Sequence, residues 1–196
     1  MAAQPWQPGQ LLAVETKRFA LHSLLPEDAD DVYTSWWNDA EIQQGFNSPP
    51  RNWDRARAAR HIAQFDNRNR FHLGIYCKVP RQLIGFFAMF INHQQQVAKT
   101  NVCIGNKDYW GKDVVLEVRG RMLFFLFNRL GMEKVEGEIL GRNLPSIFNY
   151  KAQGFTAEGI RRKQIKAVGG GRADVYHFGL LKEEWLTSIQ AREEQP

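Results

Sequence analysis

The chain has 196 residues, of which 43% are hydrophobic and 12% aromatic, so its composition is typical of one globular domain with a substantial core. The formal net charge of +5 suits an anionic ligand. The basic residues are spread along the chain, which argues against a nucleic-acid surface. No apolar run approaches the roughly 18 residues that cross a bilayer, and no signal peptide is recognisable. We therefore expect a cytoplasmic protein without a membrane partner.

The cysteines and histidines show no pattern of ligands or disulfides. Cys77 and Cys103 each lie in an apolar, strand-like run, which predicts two buried thiols. The five histidines have no metal-ligand spacing, so no metal is expected. A reducing, cytoplasmic setting agrees with this use of cysteine.

The first third of the chain predicts an arm, a strand and two helices. Pro5, Pro8 and Gly9 disfavour regular structure, so residues 1–12 are expected to form a flexible arm before a single domain over residues 13–190. Pro26 fits the first turn of a helix. The predicted elements are a strand over 14–24, a helix from Pro26 to about Trp37, a loop over 38–51 and a helix over 54–65.

The rest of the chain alternates between strands and helices. Three strands at hairpin spacing predict an antiparallel meander, and a long apolar stripe predicts a helix that ends at Gly131. The predicted elements are strands over 71–79, 83–92 and 97–104, a helix over 114–130, a strand over 135–140, a helix over 145–153, a hairpin of strands over 155–168 and 172–181, and a short helix from Lys182. This order indicates an α/β (α+β) fold, with a mixed, mostly antiparallel central sheet and helices on both faces.

Two segments suggest a binding site for a phosphorylated ligand. The first, residues 104–113, reads as a strand end and a turn leading into the long helix, where backbone N–H groups and the helix dipole can bind phosphate. The second has Asn143, Ser146, Tyr150 and Gly154-Phe155 at spacings that complete a motif. Together the segments resemble the acetyl-coenzyme A (acetyl-CoA) core of the GNAT superfamily of N-acetyltransferases, in its RimJ/RimL-like branch.

The resemblance implies an enzyme and its reaction. Acetyl-CoA would be the co-substrate, and its acetyl group would pass to a primary amine by direct attack in a ternary complex. The acceptors that the family implies are protein N-termini, amino sugars and small amines. The positive charge of the chain slightly disfavours a polyamine, since like charges repel. A homodimer through the last hairpin or a sheet edge is plausible in this fold.

The resemblance also assigns roles to individual residues. Tyr150 would be the general acid that protonates the coenzyme A thiolate, although a tyrosine on an amphipathic helix is by itself more often a core residue. Asn143 would hold the pantetheine or cap its helix. In the family, a bulge separates two strands before the loop, so that the pantetheine pairs with the backbone. The implied cofactor contacts are Val102, Ile104, Trp110, Gly111, Lys112, Asp113, Val114, Val115, Asn143 and Ser146.

Two departures from the family pattern leave the activity open. Asp113 and Val115 stand where the family has glycine and then glycine or alanine. Asp113 would either repel the phosphates, at about 1 kcal/mol, or simply serve as the helix N-cap. Lys107 and Lys112 could offset its charge. If the loop no longer binds phosphate, the alternative is a non-catalytic CoA-binding or acyl-CoA-binding protein, or an interaction protein, with this fold.

The second departure concerns the base. Lys99 occupies the position where the family often has the carboxylate that accepts a proton from the amine. Glu136, Glu138, His22 and His93 are substitutes, each of which is more often a structural residue. On the acceptor side, Trp37 and Phe46 could form the wall of a pocket. Trp36 and Trp37 are adjacent on one helix, so we expect at least one of them to point away from such a pocket.

Overall fold

An eight-stranded sheet forms the centre of the structure, a computed structural model that describes residues 6–193. The strands are ordered β1-β2-β3-β4-β5-β6-β8-β7, and all neighbours are antiparallel except β5 and β6, which run parallel. Their bounds are β1 Ala13–Glu15, β2 Phe19–Ser23, β3 Arg70–Cys77, β4 Gln82–Asn92, β5 Val97–Ile104, β6 Lys134–Leu140, β7 Thr156–Lys166 and β8 Arg172–Leu181. The predicted sheet, mixed and mostly antiparallel, is confirmed.

Helices cover both faces of the sheet, as predicted. Helices α1, α2 and α3 pack on one face around Tyr33, Trp37 and Phe86, and this face is called the α1–α3 face below. Helices α4, α5 and α6 pack on the other face around a larger core, which includes Phe87, Leu126 and Phe178. The helices span α1 Asp31–Asn38, α2 Ala40–Gly45, α3 Arg55–Ile62, α4 Val114–Phe124, α5 Leu144–Ala152 and α6 Lys182–Glu193.

The predicted first strand is two strands, which corrects the expectation for residues 14–24. β1 and β2 form a hairpin that pairs Ala13 with His22. Thr16 closes the turn, because its backbone N–H and its hydroxyl both bind the Phe19 carbonyl, and the Phe19 N–H binds Thr16 Oγ1 at 2.9 Å. These local bonds reverse the chain where β-propensity alone predicts continuation.

The predicted first helix is also interrupted. Pro26–Asp28 forms one 3₁₀ turn, and α1 starts anew because the Asp30 carboxylate accepts the Tyr33 N–H at 2.8 Å. The expected loop over 38–51 contains α2, whose first turn is capped in the same way by Asp39. In both cases an aspartate N-cap decides where the helix begins.

Contacts at both ends of the domain bear on its expected limits. Residues 1–5 of the predicted arm lie outside the described residues. Trp6 packs against Phe71 and Phe125 at ring distances of 5.7 and 5.4 Å, and Leu12 is buried, so these contacts attach residues 6–12 to the core. At the other end, Trp185 on α6 packs against Phe127. The domain limits of 13 and 190 stay predictions.

The prediction of two buried thiols is confirmed, since Cys77 and Cys103 are both free and buried. None of the helices within residues 6–193 combines the length and the apolar composition needed to cross a membrane. The long helix predicted over 114–130 is α4 followed by a π-helical turn over Phe125–Arg129, and Gly131 ends it with φ +66°.

Candidate active site

The site is built around a gap between the parallel strands β5 and β6. The two strands pair only from Val97 with Lys134 to Lys99 with Glu136. Beyond that rung, β5 continues along β4, and β6 continues along β8. Within residues 6–193, nothing pairs across this region as a strand, and we call it the interstrand gap. A gap of this kind can accept an extended ligand as a further strand.

Tyr150 lies at the narrow end of the interstrand gap. Its hydroxyl donates a hydrogen bond to the Thr100 carbonyl at 3.2 Å, one residue beyond the last rung of the β5–β6 ladder. That distance is long for an O–H···O bond, so the phenol can exchange this partner readily. The ring is buried between Phe178, which it stacks against at 5.5 Å, and Phe155. The side chain therefore has one orientation, with its proton directed at β5.

Gly137 on β6 makes this position of the phenol possible. A Cβ atom at residue 137 would lie 2.1 Å from the Tyr150 hydroxyl oxygen. Any larger residue would push the phenol out of the gap. A glycine inside a strand often marks such a close approach, so this residue was recognisable from the sequence although it was not predicted.

The loop that leads into α4 has the shape of an anion site. Val114, Val115 and Leu116 form the first turn of α4, and no hydrogen bond is present from their backbone N–H groups to a protein acceptor in the described chain. Asp113 occupies the N-cap position, but its side chain accepts none of these N–H groups. Asp113 is therefore at the N-cap, as one of the two interpretations expected, but it makes no capping hydrogen bond with its side chain. The unoccupied donors fit the diphosphate of a nucleotide cofactor.

The backbone at Asp113 explains why its carboxylate does not cap. Its φ of +55° and ψ of 22° are left-handed, whereas a capping residue has an extended backbone. Gly111, two residues earlier, is also left-handed, with φ +70°. Asp113 thus has a conformation in which glycine is strain-free. Its exposed side chain leaves the first turn of α4 open.

Arg18 supports the loop from the β1–β2 turn. Its guanidinium donates to the Lys112 carbonyl at 3.0 Å and to Glu117 Oε2 at 2.6 Å. The partners are about a hundred residues apart, and no sequence pattern marks Arg18. Together the bonds fasten the loop and the first turns of α4 to the edge of the sheet.

Lys107 was expected to offset the charge of Asp113, but its ammonium is bound elsewhere. Its ammonium binds Glu41 at 2.6 Å and Asp39 at 2.9 Å, and these bonds raise the pKa of Lys107. Its charge is therefore used to join the loop to α2. Lys112 has an exposed side chain whose Nζ lies 5.7 Å from the Tyr109 ring centre, so it is the lysine of the two left to face an anion.

The other implied cofactor contacts line the gap or the loop. Trp110 donates its indole N–H to the Ile104 carbonyl at 2.8 Å, so it covers the end of β5. Backbone groups alternate along a strand, so those of Val102 point to the same side as those of Thr100 and Ile104. Asn143 caps α5, because its side-chain oxygen accepts the Ser146 N–H at 3.2 Å. Of the two roles expected for Asn143, capping the helix is therefore the one that the structure shows. Val114 is buried beneath the loop.

Lys99, on β5, stands in place of the expected acid. A carboxylate reaches the gap instead from the neighbouring strand β6. Lys99 Nζ binds Glu138 Oε2 at 2.7 Å, and this bond holds the pKa of the Glu138 carboxyl below its ordinary value. Glu138 Oε1 also lies 3.8 Å from His177 Nδ1. Glu136 and Glu138 flank Gly137, so they point to the α1–α3 face, opposite to Tyr150.

The two histidines considered as bases lie elsewhere in the fold. His22 stacks on Tyr76 near the β1 edge, with ring centres 4.5 Å apart. His93 is in the β4–β5 turn, where its ring contacts the Arg68 carbonyl at 3.1 Å. Neither contacts Tyr150 or the loop, so the structure does not support them as bases.

A cavity of about 590 Å³ lies beside the last rung of the β5–β6 ladder, on the side of the sheet where Glu136 points. Lys99, Glu136, Arg70 and Phe90 contribute to its lining. An amine in this cavity would approach the gap from the face opposite to α4 and α5. Trp37 and Phe46 are not among its lining residues.

Both tryptophans of α1 are buried in the α1–α3 face and neither lines the cavity, so the expectation that at least one points away from an acceptor pocket stays a prediction. Trp36 packs so closely on Gly105 that a Cβ there would lie 2.1 Å from the indole. Trp37 stacks on Trp53 at 4.2 Å and on Phe86 at 5.6 Å, beneath the loop that follows α2. Phe46, at 37% exposure, is the more accessible of the two residues assigned to an acceptor wall.

No group of three or more His, Cys, Asp or Glu side chains that could hold a metal ion occurs in the described part of the chain. The donors that the site does offer are backbone N–H groups, a phenol and a buried hydroxyl. Thr100 Oγ1 is one of them, since it is buried without a hydrogen-bond partner. Such donors fit an organic thioester with phosphate groups.

The fold agrees with that of known proteins. Residues 18–156 match the family described as "Acetyltransferase (GNAT) domain". The chain is 30% identical over 178 residues to the uncharacterized N-acetyltransferase p20 of Bacillus licheniformis, covering 87% of this chain and 96% of that protein. The chain therefore belongs to the GNAT acetyltransferase family, whose members use acetyl-CoA.

Two solved structures show the same fold. One is the spermidine N-acetyltransferase from Vibrio cholerae in complex with CoA and spermine, with a TM-score of 0.77 and 18% identity over 86% of this chain and 98% of that chain. The other is the ribosomal-protein-S5-alanine acetyltransferase from Vibrio fischeri, with a TM-score of 0.75 and 15% identity. The match covers 89% of this chain and 98% of that chain. At these identities the likeness extends to the fold alone.

Proposed function

We propose that this protein transfers the acetyl group of acetyl-CoA to a primary amine by direct attack in a ternary complex, and that it belongs to the RimJ/RimL-like branch. The observation that carries the proposal is the position of the Tyr150 hydroxyl, at the closed end of the interstrand gap. When bound, acetyl-CoA supplies an activated acetyl group on sulfur. The open first turn of α4 would bind its diphosphate, and the backbone of Val102 would pair with its pantetheine.

Each chemical role falls to a group in or beside the gap. Tyr150 would donate its proton to the sulfur as the carbon–sulfur bond breaks. Glu136 or Glu138, on the opposite face, would accept the proton from the attacking amine, directly or through water. Burial raises the pKa of the Cys103 thiol, so this cysteine is not available as a thiolate carrier of the acetyl group. Direct attack by the amine is therefore favoured over a covalent acetyl-enzyme.

The proposed acceptor classes are protein N-termini, amino sugars and small amines. Arg161, Arg162, Lys163 and Lys166 are exposed on β7, and no ion pair engages them within the described residues. Asn47, which follows α2, binds the Lys166 carbonyl at 2.7 Å and thus joins this hairpin to the α1–α3 layer. This exposed positive charge disfavours a polyamine, because like charges repel, so we expect spermidine to be the poorest acceptor of a panel.

The test is a thiol-release assay with acetyl-CoA and a panel of an alanine-initiated peptide, glucosamine and spermidine. Tyr150→Phe should lower kcat by about a hundredfold, because the general acid is lost, and should leave the affinity for acetyl-CoA within about twofold. Tyr76→Phe, on β3 and away from the gap, is the matched control and should change neither quantity.

An unchanged kcat in Tyr150→Phe would remove Tyr150 as the acid. Binding of acetyl-CoA without release of thiol in the presence of any amine would support the alternative, a non-catalytic CoA-binding protein with this fold.

A further inference from the structure

Arg119 on α4 is a buried cation without an opposite charge. Its side chain is 3% exposed, its Nη1 donates to Gln153 Oε1 at 3.2 Å, and its Nε has no hydrogen-bond partner. None of the ion pairs among the described residues includes it. Burial lowers the pKa of Arg119, and interaction with Tyr150 opposes this effect. A buried guanidinium without an opposite charge lowers the stability of the fold. Its presence therefore indicates a function that compensates for this loss.

The guanidinium lies directly over the proposed catalytic ring. Its carbon is 4.0 Å from the centre of the Tyr150 ring and 5.9 Å from that of Phe155. Gln153 holds it in place, because Gln153 Nε2 also donates to the Leu116 carbonyl of α4 at 3.1 Å. The cation is thus fixed to the helix that follows the proposed phosphate loop and is directed at the phenol on α5.

The other groups around the Tyr150 ring are uncharged. Phe155 and Phe178 pack against it, the Thr100 carbonyl accepts its hydroxyl, and Gly137 faces the hydroxyl from β6. Glu136 and Glu138 belong to the same strand as Gly137 but point to the opposite face of the sheet. Arg119 is therefore the charged side chain in contact with the ring within residues 6–193.

We propose that Arg119 is a positioning residue for the Tyr150 hydroxyl, and that its cation stabilises the negative charge that the phenol oxygen acquires during thiolate protonation. In that step the O–H bond of Tyr150 breaks, an S–H bond forms, and the electron pair stays on the phenolate oxygen. The phenolate then recovers a proton from water. A fixed cation over the ring favours this charge separation most where water is excluded. The inference rests on the proposed function.

The test is a double-mutant cycle of Arg119→Met with Tyr150→Phe, measured as kcat and KM with the best amine of the panel. In the native background, Arg119→Met should lower kcat about tenfold and leave KM for acetyl-CoA within about twofold. In the Tyr150→Phe background it should lower kcat by less than about twofold. Phenylalanine keeps the ring, so any packing role of Arg119 would act equally in both backgrounds.

Two further variants make the result specific. Arg121→Met, an exposed arginine on the same helix, is the control and should leave kcat unchanged. Arg119→Lys keeps the charge and should retain more of kcat than Arg119→Met does. If Arg119→Met fails to fold, as judged by its thermal transition, the same cycle run with Arg119→Gln, which also removes the charge, replaces it.

Equal losses in both backgrounds would overturn the inference, since Arg119 would then act through the fold. A raised KM for acetyl-CoA with unchanged kcat would also overturn it and make Arg119 a cofactor-binding residue. Both results leave the proposed function intact. A native protein that acetylates no amine would instead overturn the proposed function, and with it the step that Arg119 is proposed to support.

Discussion

Asp113 is the residue on which we expect phosphate binding at the loop before α4 to depend most. Left-handed backbone at a residue other than glycine costs about 1 kcal/mol, and aspartate tolerates it better than most. The loop needs this conformation at two positions, and Gly111 supplies only one of them. Asp113 supplies the second and adds an exposed carboxylate beside the open N–H groups of α4. The geometry of the site is therefore kept while its charge is made less favourable.

Replacing Asp113 should tighten acetyl-CoA binding. We expect Asp113→Gly to lower the dissociation constant about fivefold, equivalent to ~1 kcal/mol, because a negative charge near the diphosphate is removed. Asp113→Asn removes the charge but keeps a side chain that accepts a left-handed backbone. Calorimetric titration of both variants measures the effect, and the gain should shrink at high salt.

The two variants separate charge from backbone freedom. Equal gains would assign the effect to charge, and a gain in the glycine variant alone would assign it to close approach of the backbone. Asp108→Asn, in the same loop and also exposed, should change the affinity less than about twofold. Unchanged affinity in both Asp113 variants would show that the diphosphate does not bind at this turn.

At the scale of elements, the site depends on how α5 meets β6. The predicted motif placed Tyr150 on a helix that ends at Gly154, and Gly154 does end it, with φ +83°. The sequence order also predicted the sheet and its two helical layers. The starts of α1 and α2 were missed because they depend on single side-chain caps at Asp30 and Asp39, which compete with longer-range patterns.

Contacts between distant residues were beyond the sequence patterns. Lys107 was expected to face the phosphates, but Asp39 and Glu41 lie close to it only after folding. Trp36 and Trp37 could not be assigned to one buried side of α1, because the loop after α2 covers the helix from a second direction. Such facts follow from tertiary packing, which local propensity does not encode.

His72 on β3, beneath α1 and α3, is expected to make the stability of the fold depend on pH. His72 is 2% exposed, its ring contacts the Tyr33 hydroxyl at 2.9 Å, and Nδ1 has no hydrogen-bond partner. Burial lowers the pKa of His72 to about 3. The unfolded chain, with an ordinary histidine pKa of about 6.5, then binds more protons than the folded chain below that pH.

The free energy of unfolding should therefore be highest above about pH 6.5. It should decline as the pH falls from there toward the pKa of His72 in the folded protein. Between about pH 7 and pH 4.5 we expect His72 to contribute a loss on the order of 2 kcal/mol, measured by urea denaturation, in addition to the loss from the neighbouring His61, whose pKa burial lowers to about 4. His72→Phe should reduce this loss, and His93→Phe, an exposed histidine in the β4–β5 turn, should not. The same pH dependence in His72→Phe and in the native protein would contradict the assignment.

At the scale of the whole molecule, the interstrand gap is the feature that unites the fold with the proposed chemistry. The sheet divides at the β5–β6 rung, so a thioester on the α4–α5 side and an amine on the α1–α3 side can meet at one point. Arg18 and Lys107 fasten the loop to the sheet edge and to α2, one on each side. The proposed reaction therefore depends first on cofactor binding at the open first turn of α4.

Calorimetric titration of the native protein with acetyl-CoA tests that step most directly. We expect one site per chain and a dissociation constant in the micromolar range, with heat that falls as salt is added, because phosphate contacts with Lys112 and the start of α4 would contribute. Absence of binding at millimolar acetyl-CoA would contradict the account, because it would show that Asp113 and Val115 have closed the loop to the cofactor.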